Sequence, residues 1–524
     1  MNLSERISTK IKNDWLTILS WSVLLLSILT VFANYSEALD EIQWASFFNS
    51  DTLGLPSLYT DLILDKGHFK DWVFASAPTI FPDILLYFFI RILHVDFLTA
   101  FMVYGIIQVC IITYLCIYIY KKMVPESYHS YKWLIPLFIA FTFIEGVYFS
   151  KDYFFSFLLL SYSFHIGSFL NCLLFVAVFV SPLSKVKKLI FVFLFGTLAV
   201  FSDKLFIVML VFPMSVALLV SVIRSKEYKN VFLALSFIVL GCVTALKIYG
   251  YINEHKIAIF QAPHKLYAFD SIVPSAKLFY AQMLQYSSIP GLRSFTIIFT
   301  FVSAFIVIFY FFRYRKSTNT DQKILCMFYV LFVLSVFSAP IINGNYSGID
   351  TLRYNIAPFF FSAVAFTLFI AMLVKGRNNT ITKSISLICV LFFFVMTAVK
   401  FKSSGVKNYL SFYPAKVSEI DSVAKKYNLK RGVSEYWTAK KTTMFSKQNL
   451  KVYSVYENMC IQDLGANIHW FFDKEFDFIV ANKLIPGPIL QTLDVKDTVI
   501  TPHYTILIMG HFTYPKGYQP VKLQ

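Results

Sequence analysis

A chain of 524 residues in which 57% are apolar and only 15% are charged is not a string of soluble domains, since those carry about a quarter charged residues. The net charge of +17 does not mark a nucleic-acid binder. Most Lys and Arg fall in short segments between apolar runs of the length a bilayer requires, about 20 helical residues. Of seven cysteines, Cys110, Cys116, Cys172, Cys242, Cys326 and Cys389 lie in apolar runs and only Cys460 lies outside them, which excludes a disulfide framework and a zinc-ligand spacing.

The first apolar run, 15–35, is too long for the core of a cleaved signal, and no small-residue cleavage pattern follows it. It reads as a signal anchor. The stretch "ANYSEALDEIQWASFF", 33–48, leads from it into the loop 36–81 and sets Asp40 and Glu41 side by side where the chain leaves the membrane. Next comes a short apolar helix at about 82–94, expected at the membrane surface and opened by Asp83. Spanning helices are expected at 15–35, 96–120, 131–149, 155–181, 187–202, 205–223, 230–250, 293–313, 323–342, 354–374 and 383–401. Basic clusters at Arg6–Lys12, Lys121–Lys132, Lys185–Lys188, Arg224–Lys229, Arg313–Lys316 and Lys375–Lys383 alternate with mixed or acidic ends. Eleven crossings with the N-terminus in the cytoplasm satisfy the excess of positive charge on that side. The C-terminus then lies outside.

From 402 onward polar residues rise and short strand-like runs appear: "RGVSEYW", "LKVYSV", "FDFIVANK" and "HYTILIMG". With helix-like stretches such as "AKVSEIDSVAKKY" between them, 402–524 reads as a small α/β domain on the outer side. The expected fold is thus a polytopic α-helical membrane domain, 1–401, followed by that soluble domain.

This topology gathers ionisable residues on the outer face. Lys151 and Asp152 stand in the turn "FSKDYFF", His165 about three turns into the fourth helix, and Asp203 and Lys204 in the turn "FSDKLF". Arg353 and Tyr354 open the tenth helix. Each has a structural alternative. Asp152 and Asp203 suit helix caps. Lys151 and Lys204 suit snorkelling to headgroups. His165 suits an interhelical hydrogen bond, and the loop aromatics suit interface anchors. Caps and anchors, however, would distribute over both faces, whereas charges of both signs concentrate on one. Carboxylates there can take a proton from an acceptor hydroxyl. Lys and Arg can hold a phosphate leaving group. No nucleotide sugar is present outside the cell, so an activated sugar must arrive on a lipid carrier.

In order and sidedness these features resemble the GT-C superfamily of integral membrane glycosyltransferases. That superfamily includes protein O-mannosyltransferases, lipid A aminoarabinose transferases and oligosaccharyltransferase catalytic subunits. The resemblance runs through "ALDEIQW" after the first helix, "APTIFPDILLYF" at the surface helix, Asp152 in the next outer turn, "RYNIAP" at a late helix and the terminal soluble domain. It implies that Asp40 or Glu41 is the catalytic base and Asp152 the second-loop acid. It further implies that Arg353 contacts the carrier phosphate, with Lys204 as helper. Asp83, Lys151, His165, Asp203 and Tyr354 complete the expected substrate-binding set. Phe81-Pro82-Asp83 replaces the Pro-Pro-Leu or His-Pro-Pro of better-known branches, and "GVSEYWTAKKTT" matches none of their motifs.

No metal or other cofactor is expected, a divalent ion at Asp152 being the alternative. The expected partners are a polyprenyl-phosphate-sugar donor, membrane lipids, and an envelope glycan, lipid or protein acceptor. The expected location is a bacterial cytoplasmic membrane. An O-antigen-type polymerase is the nearest rival, but such proteins place their large outer loops mid-chain. A lipid or sugar flippase is the other, but paired halves with helices broken at mid-membrane are not visible. A non-catalytic member of the superfamily is a third reading.

Overall fold

The computed structural model describes residues 3–36, 39, 47–147, 154–162, 164–224, 228–261, 269–288, 292–344, 346, 349–374, 380–472, 474–481 and 493–514. Among these, seven helices are long and apolar enough to cross a membrane: Asp14–Ala33, Phe97–Met123, Val231–Glu254, Phe295–Tyr314, Thr320–Ile342, Thr351–Leu373 and Lys383–Lys400. Several of their hydroxyls are satisfied within the helix. Ser27 donates to Leu24 O, Thr113 to Val109 O and Thr300 to Thr296 O, each at 2.7 Å. In hydrocarbon, where water cannot supply a partner, that is the available solution.

Seven such helices stand where eleven crossings were expected. The other four segments are helical but shorter or interrupted. The segment 131–149 contains the helix Leu134–Glu145, 12 residues long. The helix Lys185–Ser202 spends its first turn on three lysines. The segment 205–223 begins as a π-helical turn, Ile207–Val211, before the helix Phe212–Arg224. The segment 155–181 is broken into Phe154–Leu160 and Ile166–Phe179. His165 is therefore not inside a helix. It occupies the N-cap position of the second piece with φ 64°, a left-handed conformation that ends a right-handed helix.

The bundle has two distinct ends. At one, Lys132 pairs with Asp14 at 2.8 Å, and Tyr128 Oη meets Tyr314 Oη at 2.9 Å. This end collects the basic residues Lys121, Lys122, Arg313 and Arg315. At the other end Asn34 Nδ2 donates to Lys400 O and Tyr409 Oη donates to Leu98 O. Gly405 abuts Ala33 so closely that a Cβ there would fall 2.0 Å from its carbonyl oxygen.

The C-terminal part sits on this second end. Its five strands are β3 (Arg431–Ser434), β4 (Lys451–Ser454), β5 (Phe478–Val480), β6 (Val495–Ile500) and β7 (Thr505–Met509). They are ordered β4-β3-β5-β7-β6, parallel through β4-β3-β5 and antiparallel through β5-β7-β6. The four runs expected to be strands are β3, β4, β5 and β7. Alternate residues face opposite cores. Phe478, Val480, Ile506 and Ile508 pack with Ile420 and Ala424 of the helix Ala415–Tyr427, whereas Ile479, Leu507 and Met509 pack with Phe471 and Tyr514.

The loop after the first helix ties this sheet domain to the membrane helices. Two residues of it, β1 (Val73–Phe74), pair in parallel with β2 (Ile259–Phe260). On its other side Val73 N donates to Ala466 O, and Gly465 N donates to Val73 O, both at 2.9 Å. Asp61, buried in the same loop, accepts from Asn467 Nδ2 at 3.0 Å and Trp470 Nε1 at 2.8 Å.

Candidate functional site

Where the first loop, the helix ends and the sheet domain meet, they enclose a cavity of about 730 Å³. Five of the residues singled out in the sequence line it: His165, Asp203, Lys204, Arg353 and Tyr354. They come from separate elements, so the fold and not sequence proximity brings them together.

Asp203 follows the helix Lys185–Ser202 in extended conformation. Its Oδ1 accepts Leu205 N at 2.9 Å, and its Oδ2 meets His165 Nδ1 at 2.7 Å. The His165 ring lies 4.8 Å from that of Tyr354. The Arg353 guanidinium lies over the rings of Tyr354 and Phe164, at 5.3 and 5.9 Å. Lys204 lays its ammonium 3.9 Å from the centre of the Tyr249 ring. That ring is stacked on Phe260. The cations are thus carried on aromatic faces, which hold them without neutralising them.

Three further residues at the cavity were not singled out in the sequence: Asp51, Tyr436 and Lys440. Asp51 Oδ2 is 3.5 Å from Arg353 Nη1, and Asp51 Oδ1 accepts from Tyr436 Oη at 2.7 Å. Burial and the Asp51 carboxylate hold the Tyr436 phenol well above its ordinary value. Lys440 is only 5% exposed, and burial pulls its ammonium down to about 8, with Asp51 opposing that shift. The available signals were weak. Asp51 lies in the turn-like "NSDTLG" of a long loop, and Tyr436 and Lys440 lie in the "GVSEYWTAKKTT" stretch that matched no family motif.

Asp83 is placed differently. It is buried behind the cavity wall, accepts a hydrogen bond from Tyr104 Oη at 2.5 Å, and abuts Gly167, where a Cβ would come 2.6 Å from Asp83 Oδ1. Its neighbour Ile84 lines the cavity; Asp83 does not. Asp40, Glu41, Lys151 and Asp152 lie outside the described residues. Among the described residues no group of three or more His, Cys, Asp or Glu could hold a metal ion.

Three cations (Lys204, Arg353, Lys440) thus face two carboxylates (Asp51, Asp203), so the cavity suits an anion. Much of the remaining lining is apolar, with Ile207, Val208, Ala339 and Pro340. Phe212 and Ile342 belong to it and are 54% and 47% exposed. The lining thus combines cations with exposed apolar side chains. An anionic head with an apolar tail fits such a space.

No family model matches the sequence, and no curated protein matches it. Among solved structures the chain is similar to the oligosaccharyltransferase of Archaeoglobus fulgidus, crystallised with zinc and sulfate. The two are 9% identical over 96% of this chain and 70% of that one, with a TM-score of 0.37. A likeness that loose decides neither the fold nor the activity of this chain.

Proposed function

We propose that this protein is a membrane glycosyltransferase of the GT-C kind. It moves a sugar from a polyprenyl-phosphate donor to an envelope glycan, lipid or protein acceptor on the outer side of a bacterial cytoplasmic membrane. The observation that carries this reading is the cavity's composition: three side-chain cations together with exposed apolar side chains such as Phe212 and Ile342. Arg353 and Lys204 would meet the donor phosphate, while Phe212 and Ile342 would border the path of its prenyl chain.

In this reading a carboxylate takes the proton of the acceptor hydroxyl, and the hydroxyl oxygen bonds to the anomeric carbon. The bond from that carbon to the phosphate oxygen breaks, and the phosphate leaves on its lipid. The charge that develops on it is met by fixed cations in a site shielded from water, where such contacts are strongest. The residues proposed as base are Asp40 and Glu41. Their segment ends at Phe47, four positions before Asp51, which faces the cavity. In this reading Arg353 and Lys204 meet that charge, and no metal ion is invoked. Asp152 remains the proposed second-loop acid, and Lys151 a proposed donor contact.

A strain lacking the gene, complemented with wild type or Arg353→Ala, tests this. The deletion should lose one sugar from an envelope component and accumulate lipid-linked sugar. Arg353→Ala should restore transfer at a rate lower by about a hundredfold, the usual scale for one transition-state charge contact. Envelope glycans identical in the deletion and the parent strain would end the proposal.

A further inference from the structure

Lys440 is unusual among the cavity's cations. It belongs to the helix Tyr436–Phe445 of the sheet domain, yet it is 95% buried beneath residues of the first loop. Its ammonium has three donors. Among the described residues it makes one hydrogen bond, to Ser50 O at 3.3 Å, and no carboxylate lies within ion-pair distance. The Tyr436 ring lies 4.8 Å away on one side. Gly465, with φ 62°, lies on another, so near that a Cβ would come 2.6 Å from Lys440 Nζ. Gly465 and Lys440 both line the cavity. A buried ammonium with unused donors at the wall of a cavity is costly unless an anion completes it.

We infer that Lys440 is a substrate-binding residue: the sheet domain supplies it to complete the phosphate subsite of the lipid donor. The inference rests on the donor reading above and adds a contact from the sheet domain. It gives that domain a part in donor binding, since Lys440 reaches the cavity only while the helix Tyr436–Phe445 is docked. That docking is held by Ser50 Oγ donating to Tyr436 O and by Tyr436 Oη donating to Asp51.

A pH dependence follows. The charged groups near Lys440 are Asp51 and Arg353 on the cavity side, Tyr436 on its own helix, and Asp61, Asp65 and Lys451 on the wall behind it. The free ammonium titrates near 8 because burial disfavours its charge. A bound phosphate favours the charge and raises that value. Affinity is therefore full below about pH 8 and declines as pH rises through it, by up to about tenfold per pH unit. A phosphate monoester is already dianionic there, its second pKa being about 6.

The probe is a short-chain polyprenyl phosphate, with inorganic phosphate alongside, binding to the full chain in lipid nanodiscs between about pH 7 and pH 9.5. Wild type should bind the prenyl phosphate with the decline described. Lys440→Met should bind about tenfold or more weakly at neutral pH, with the decline gone. Lys440→Arg, always charged, should bind without the decline. Lys204→Met controls for the cavity's other lysine and should keep it. The inference is overturned if Lys440→Met matches wild type in affinity and pH profile, or if Lys204→Met abolishes the decline. In both cases prenyl phosphate still binds, so the donor reading stands. If wild type binds neither probe, the donor reading falls and this inference falls with it. Inorganic phosphate binding as tightly as the prenyl phosphate would leave Lys440 an anion contact but refute a lipid donor.

Discussion

Asp203 uses its two carboxylate oxygens for different purposes, and only one of them is structural. Oδ1 takes the Leu205 amide and starts the next helical turn, while Oδ2 takes His165 Nδ1. A carboxylate accepts, so Nδ1 carries the proton. Asn at 203 keeps an oxygen for the cap but cannot both cap and hold the imidazole in that state. Asp203→Asn should therefore leave thermal stability within about 1 kcal/mol of wild type and lower transfer by about tenfold or more. Asp203→Ala should lose the cap as well, with a further cost of about 1 kcal/mol. Turnover in membranes, set beside thermal unfolding, separates the two. An Asp203→Asn protein with wild-type turnover would confine Asp203 to capping. Asp203, Lys204 and Arg353 were legible in the sequence because charges at the ends of apolar runs stand out; Tyr354 came with Arg353, and His165 was singled out as a histidine read to lie inside a helix. Lys440 was not, since what buries it is Ser50 and its neighbours, 390 positions earlier.

At the scale of elements, the sequence showed local periodicity and missed what distant partners impose. The strands β3, β4, β5 and β7 were legible as apolar runs bounded by polar turns. So was the helix Ala415–Tyr427, which matches the stretch "AKVSEIDSVAKKY". The break between Leu160 and Ile166 was not read as one, although Ser161, Ser163 and His165 interrupt the apolar run there. It accompanies the pairing of His165 with Asp203, 38 residues away. The same holds for the first loop, whose β1 pairs with β2 from a segment far along the chain. Asp61 is one of the polar fastenings between that loop and the sheet domain. Asp61→Ala leaves the Asn467 amide and the Trp470 indole without their acceptor, at a cost of about 1–3 kcal/mol for each buried donor left unpaired. Amide hydrogen exchange should then quicken through Asn467–Trp470 while the exchange of Phe97–Met123 is unchanged. Unaltered exchange around Trp470 would show that the apolar contacts of Trp72 and Trp470 hold the loop by themselves.

For the whole molecule, the two ends of the bundle differ in chemistry, and that difference supports the proposed outward orientation of the cavity. One end gathers Lys121, Lys122, Lys132, Arg313 and Arg315 around the Asp14 pair. The other carries the first loop, the cavity and the sheet domain. Positive charge in short loops is retained on the cytoplasmic side, whereas a folded domain crosses largely regardless of its charge. The cavity end should therefore face outward. A reporter active only outside the cytoplasm should work when fused after Gln524 and fail when fused after Lys316, in the short connection between Tyr314 and Thr320. The opposite result would put the cavity in the cytoplasm, where nucleotide sugars are abundant. The apolar part of the lining would then have to serve a lipid acceptor, and the case for a lipid-borne donor would lose its main support.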